Sequence, residues 1–350
     1  MPGARAIRRG GAIAAIVALA GVLAACATAE TAAPAPAPTP SYSSSYLTPA
    51  PYDLAPLTGE VVEAGSLAHP SLAAKVDNHE LARPQIGLER TDIVFEELVE
   101  GGLTRYVAVW HSDIPEEIGP VRSIRPMDPD IVSPFGGIIA YSGGQYRFVV
   151  LMQQTNVYNA IHGAADTADL MYRTTSKTSP HNVLVAAETL VDRHLDIASP
   201  AQQFAFAPDV ASSSAVVEGT PATGLTARFS DASSPSWKYD ESSETWKRSQ
   251  LSGVDRDSNG DQLSAANVLV MTVPISYGLG VPKTEMIGGG DAWVFAGGQS
   301  LAVRWSKASQ AAPIILTDLN GVVVRLAPGN TWIELMPTTG ALTIDAPSGS

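Results

Sequence analysis

A single cysteine, Cys26, is present in the 350 residues of this chain. An internal disulfide is thereby excluded, and the fold must rest on packing and polar contacts. Positive charge is also short, with 22 Lys and Arg against 35 Asp and Glu and a net charge of -13. So acidic a chain argues against nucleic acid as a partner and against adhesion to anionic lipid through a basic patch. The six histidines, His69, His79, His111, His162, His181 and His194, show no regular three-ligand spacing, so no metal is expected, nor any other cofactor. No Gly-x-Ser-x-Gly elbow marks a nucleophilic serine. No internal repeat is visible.

What is present begins at the amino terminus. Arg5, Arg8 and Arg9 precede an apolar run over residues 10–23, the order of a secretory signal. That run is shorter than the roughly 20 residues a membrane-spanning helix needs. Leu23-Ala24-Ala25-Cys26 resembles the bacterial lipobox, in which the cysteine thiol is acylated, here with palmitate-type chains, and the bond before it is cut. The alternative is an ordinary signal peptide with a chance cysteine. Gly10 and Gly11 after Arg8-Arg9 favour general secretion over the twin-arginine route. The expectation is an exported protein, lipid-anchored through Cys26 to the outer face of the cytoplasmic membrane.

Residues 26–56 are rich in Pro, Ala, Ser and Thr, with little to bury, and read as an extended tether. Beyond it, residues 72–76, 91–99 and 103–110 read as strands, the last two turning on Gly101-Gly102 as a hairpin. Residues 138–141 form a short apolar strand before Gly143-Gly144. Residues 182–195 have helical spacing, with Val183, Leu184, Ala187, Leu190 and Val191 on one stripe. A join at 201–224, rich in Pro, Ser, Thr and Gly, separates this region from one whose signals are nearly all β: around Trp237 and Trp246, at 267–273, at 292–295 and 301–305 about Gly297-Gly298, and at 322–326 and 331–335 about Pro328-Gly329. The expected fold is α+β, a mixed α/β amino-terminal domain over 57–200 followed by a smaller β-rich carboxy-terminal domain over 225–345.

Several motifs then occur in one order: Val76-Asp77-Asn78, the run Arg83 to Leu88, Asp92 to Glu97, Glu100 to Arg105, Gly119-Pro120-Val121-Arg122-Ser123-Ile124-Arg125, and Ser179-Pro180-His181-Asn182. Together with 255–263, Asn267-Val268-Leu269-Val270 and Thr331-Trp332-Ile333, they resemble the YerB-like lipoprotein family. The resemblance covers nearly all of the chain after the tether. It implies an exported lipoprotein with two distinct domains, and it supplies no catalytic residue.

The densest polar constellation is Glu96, Glu100, Arg105, Arg122 and Arg125. Residues four apart share a face in a strand, so Glu96 and Glu100 are expected to point the same way, toward the guanidinium groups. Three readings stand: Arg forks clamping carboxylates as a structural network; a pocket for an anionic ligand or a partner protein of the envelope; and paired carboxylates doing acid and base work on a glycan. Arg83, Arg173, His181 and Asn182 complete the candidate set, His181 being either a base or ligand-binding group or a loop residue bonded to backbone.

Asp255-x-Asp257-x-Asn259-Gly260-Asp261 imitates half of a calcium loop, but Ala266 stands where the bidentate Glu is needed, so a hairpin turn at Asn259-Gly260 is expected. Gly288, Gly289 and Gly290 read as a turn, lacking the Lys-Ser/Thr of a phosphate loop. The reading favoured is a binding or regulatory envelope factor rather than an enzyme, its rival a hydrolase or transferase acting on a cell-wall polymer or its precursor.

Overall fold

The computed structural model describes residues 50–347. Cys26, the signal segment and most of the tether lie outside the described residues. The apolar runs LAAKVD, IVFEEL, TRYVAVW, IIAY and TWIELMP are buried at every position, the pattern of strands covered on both faces. The first four form β1 (Leu72–Asp77), β2 (Ile93–Leu98), β3 (Thr104–Trp110) and β4 (Ile138–Tyr141), followed by β5 (Tyr158–Ile161), and the fifth forms a strand near the end of the chain. A small sheet holds β6 (Met171–Arg173) and β7 (Val183–Ala186). Later come β8 (Gly224–Arg228), β9 (Ser236–Asp240), β10 (Thr245–Gln250), β11 (Asn267–Val273), β12 (Gly288–Ala296), β13 (Gln299–Lys307), β14 (Thr331–Pro337) and β15 (Ala341–Asp345).

One eleven-stranded sheet carries most of these, its long strands in the order β13-β12-β11-β14-β2-β3-β1-β4-β5. The last third of the chain is therefore built into the same sheet as the first: β14 lies parallel to β2, with Glu334 opposite Glu96. Pairing is parallel at β11/β14, β14/β2, β1/β4 and β4/β5, while β3 is antiparallel to both β2 and β1. It follows that β1, β2, β4, β5, β11 and β14 all end at one edge.

Each face of this sheet is covered. Phe95, Val107, Ile139, Leu269 and Ile333 face a layer that includes α1 (Asp128–Val132) and α2 (Tyr146–Gln153), through Ile131, Phe148 and Met152. Val94, Tyr106, Val268 and Trp332 face the antiparallel sheet β10-β9-β8-β15, through Leu225, Trp237 and Trp246. The molecule is thus mostly strand, with a few short helices.

The β2/β3 hairpin forms as expected, with a 3-10 turn at Glu100–Gly102 in which Gly101 and Gly102 both have positive φ, 72° and 74°. Other expectations change. Residues 182–195 are not one helix: β7 comes first and α3 (Ala187–Asp192) follows, because Val183 and Val185 pair inside a sheet while only the second half turns. Gly288, Gly289 and Gly290 belong to β12, where their bare backbone lets Trp305 of β13 approach. The strands flanking Pro328-Gly329 do not pair with each other: Arg325–Leu326 pairs with Ala205–Phe206, and β14 enters the main sheet. Asn259-Gly260 does turn, with the Gly260 N–H donating to Asp257 O at 3.0 Å.

Candidate functional site

The site arises where two parallel strands separate. β1 and β4 are paired only from Leu72 to Ala74 and from Ile138 to Ala140. Beyond that point residues 120–125 enter the gap and take up the freed backbone groups. Asp77 N donates to Pro120 O (2.9 Å), Arg122 N to Lys75 O (2.7 Å), Ser142 N to Arg122 O (3.0 Å) and Ile124 N to Gly143 O (3.0 Å). Gly119, at φ 140°, makes the entry possible, since a Cβ there would lie 2.9 Å from the Val183 carbonyl oxygen. The segment places Arg122 and Arg125 at the carboxyl ends of β1 and β4.

Strand pairing brings the rest. Arg105 at the start of β3 is opposite both Asp77 of β1 and Glu97 of β2, so these three side chains share a face. The Arg105 guanidinium donates to Ser123 O at 2.8 Å, and the Arg125 guanidinium to Ile124 O at 2.9 Å and to Glu100 Oε2 at 2.8 Å. Burial, then the nearby Arg125 and Arg122 charges, push Arg105 down to about 10. Partial burial would raise the Glu100 carboxyl, but the hydrogen bond and charge of Arg125 hold it below its usual range. Arg122 Nε lies 3.1 Å from Asp77 Oδ2 but out of hydrogen-bonding alignment, so the contact is ionic rather than a directed bond. Its side chain is 20% exposed, and none of its nitrogens makes a hydrogen bond among the described residues.

Asp77 is the hub. Its Oδ2 accepts from His181 Nδ1 at 2.6 Å, and its Oδ1 accepts from the His79 backbone N–H at 3.2 Å. The His79 and His181 rings stack, 4.4 Å between centroids and 19° from parallel. Beside them Arg173, exposed, donates to Asn182 Oδ1 at 2.7 Å, and Asn182 donates to Thr174 O at 3.0 Å. The His181 ring is therefore bonded to a carboxylate and not to backbone.

Glu96 and Arg83 do not join this group. Alternation along β2 turns Glu96 away from Glu97, into the layer between the two sheets. There Glu96 accepts from Thr104 Oγ1 at 2.6 Å and is bonded to Arg248, which also holds Asp255 and lies 4.8 Å over the Trp332 ring. Burial and the adjacent Glu96 raise the Glu334 carboxyl well above its usual range. Arg83 donates to Asn78 O at 2.8 Å and is bonded to Gln250, tying β1 to β10. Glu96 and Glu100 thus point to different places, because the chain leaves the strand at Val99 and the turn swings Glu100 to the edge. In the calcium-like loop, Asp257 is used by the N–H groups of Gly87 and Leu88, both at 3.1 Å.

Residues not singled out from the sequence complete the arrangement. Lys75, fully buried, is paired with Glu97 and lies 2.8 Å from Asp128, whose other oxygen accepts the Arg125 N–H at 2.7 Å. Burial and Asp128 together push Glu97 up to about 8. A lysine and a glutamate inside two apolar strand runs were the available signal, since buried charges require partners.

Comparison with known proteins gives a consistent result. The family described as "Protein of unknown function (DUF3048) N-terminal domain" matches residues 57–197, and the corresponding C-terminal domain matches 225–333. YerB of Bacillus subtilis (strain 168), named as a candidate lipoprotein, is 26% identical over 307 residues, covering 84% of this chain and 89% of that protein. The crystal structure of Bacillus subtilis YerB superposes with a TM-score of 0.70 at 22% identity, covering 83% of this chain and 99% of that one. At that identity the superposition speaks to the fold.

Proposed function

Because the chain belongs to the YerB-like family of paired DUF3048 domains, we propose that it is an exported lipoprotein, anchored through Cys26 to the outer face of the cytoplasmic membrane, that binds an anionic envelope ligand at the edge formed by Arg105, Arg122 and Arg125. The observation that carries the binding reading is Arg122: a guanidinium at the strand edge with one ionic contact and no hydrogen bond among the described residues. A guanidinium held by backbone on both sides of its own chain position is preorganised for a phosphate or carboxylate fork. Its place supports the same reading by analogy, since open sheets with parallel strands bind ligands in the crevice beyond the carboxyl ends of the strands. An acidic segment of a partner protein would present the same carboxylate chemistry.

The test is calorimetric titration of the protein with inorganic phosphate and with acetate. Arg122→Ala should weaken binding of the preferred anion at least tenfold, about the 1.4 kcal/mol that one charge-assisted contact supplies. Equal binding by wild type and variant would remove the site from consideration. For the anchor, Cys26→Ser should move the protein from the membrane fraction to the soluble one. A variant that stayed membrane-bound and was processed normally would refute lipidation there.

A further inference from the structure

The stacked histidines carry more than binding requires. Asp77 Oδ2 is a carboxylate acceptor, so the 2.6 Å contact places a proton on His181 Nδ1 and leaves Nε2 as the ring's basic nitrogen. His79 is fixed in the opposite sense. Its Nδ1 accepts the Leu81 backbone N–H at 3.2 Å, so its proton sits on Nε2. Neither Nε2 has a hydrogen-bond partner among the described residues. The stack therefore offers a base and a hydrogen-bond donor side by side, next to the Arg122 guanidinium that shares Asp77 with His181.

The charge of the group limits what it can take. Arg105, Arg122 and Arg125, with Arg173 beside the histidines, outnumber the carboxylates Asp77 and Glu100, so the edge is net positive and takes an anion. A phosphodiester carries one negative charge, with two free oxygens to spread over a guanidinium fork and the His79 donor.

We propose that this edge hydrolyses a phosphodiester, with His181 as general base and Asp77 as the residue that positions it. The proposal rests on the anion-binding reading and adds turnover to it. Water attacks phosphorus and forms the new P–O bond as its proton passes to His181 Nε2. The P–O bond to one alcohol breaks on the opposite side of phosphorus, the leaving oxygen takes a proton from solvent, and His181 returns its own proton to water. The products are a phosphomonoester and an alcohol, with no change of oxidation state. Arg122 and His79 Nε2–H hold the non-bridging oxygens, whose charge grows in the transition state.

The experiment uses full-length protein in detergent with bis(4-nitrophenyl) phosphate, following nitrophenolate release, and with binding of the same probe measured by competition against bound phosphate. His181→Gln keeps a donor toward Asp77 but has no basic nitrogen, and it should lower turnover by about 100-fold or more with binding changed less than about threefold. His79→Gln should cost less, about tenfold. A rising limb in the pH profile of kcat/KM should disappear in His181→Gln, and Asp77→Asn should displace that limb while a merely structural loss would not. Thermal unfolding of each variant separates these effects from misfolding, with His181→Ala as the second variant at that position. If wild type binds the probe without releasing nitrophenolate, or if His181→Gln turns over like wild type, hydrolysis is refuted and the binding reading survives. If wild type neither binds the probe nor phosphate, both fall.

Discussion

Glu96 and Glu97 are adjacent carboxylates on one strand, and the sheet sends them into two different electrostatic worlds. Glu96 enters the layer between the sheets, where Arg248, Asp255, Thr104 and Glu334 enclose it and where Trp237, Trp332 and Tyr106 exclude water. Glu97 enters the helix-covered face, next to Lys75 and Asp128, and that face opens at its edge onto Arg105, Arg122 and Arg125. In the first region Arg248 holds both Glu96 and Asp255, Glu334 accepts from Trp237, and the atoms left without a partner, Arg248 Nε and Glu334 Oε2, are sealed from solvent, which is the signature of a structural tie between β2, β10 and β14. In the second, satisfaction decreases toward the edge, from Lys75 with two carboxylates to Arg122 with one ionic contact. Function belongs where a charge short of partners also reaches the surface, as Arg122 does and Arg248 does not.

The largest effect that could break this contrast lies at Arg248. Arg248→Met leaves Glu96 and Asp255 buried without their cation, and breaking a buried pair in this way costs about 3–5 kcal/mol. Urea unfolding should show that loss. Arg122→Met should cost less than about 1 kcal/mol in the same measurement, because its partner Asp77 keeps His181 and the His79 N–H. Equal losses would erase the distinction between the two regions.

The next effect concerns pH. Burial first, and then a neighbouring acid, pushes Glu97 and Asp257 up to about 8, and burial pushes Asp92 up to about 6. A carboxyl whose folded pKa lies above its unfolded value contributes stability that is complete below the unfolded pKa and is lost as pH rises through the folded one. Stability should accordingly fall as pH rises from about 4 to 8. Glu97→Gln removes one such proton, so the slope should flatten by up to about 1.4 kcal/mol per pH unit. Chemical denaturation at several pH values reads the slope, and an unchanged slope would mean that Glu97 does not titrate in that interval.

Much of the fold could be read from the sequence, and the reasons are local. Strands such as β2, β3 and β11 announce themselves as apolar runs bounded by turn residues, and Gly101-Gly102 marks their hairpin. Residues 182–195 misled because Val183, Leu184, Ala187, Leu190 and Val191 fit a helical stripe while Val183 and Val185 equally fit a strand, and only pairing with β6 decides between them. The insertion of β14 between β11 and β2 was not legible, since pairing over such a separation leaves no mark in either segment. The site was half legible. Clustering in sequence found Glu100, Arg105, Arg122 and Arg125, but the face of Glu96 depended on where the strand stopped, and Asp77, the hub, stood in the Val76-Asp77-Asn78 motif with nothing to mark its role until its place at the end of β1 was known.

The smallest expected effect tests whether the edge group is tuned for an anion or merely neutralised. The Glu100 side chain is 43% exposed and paired with Arg125 at 2.8 Å, so by the usual worth of such pairs Glu100→Gln should change stability by less than about 1 kcal/mol. Its effect on binding should have the opposite sign from that of Arg122→Ala. Removing a carboxylate that competes for Arg125 leaves the group with one more uncompensated positive charge, and phosphate should bind about two- to fivefold more tightly at low salt, the gain shrinking as salt screens the exposed charge. If Glu100→Gln instead weakens phosphate binding, Glu100 holds Arg125 in the binding geometry and the edge is an assembled site rather than a sum of charges.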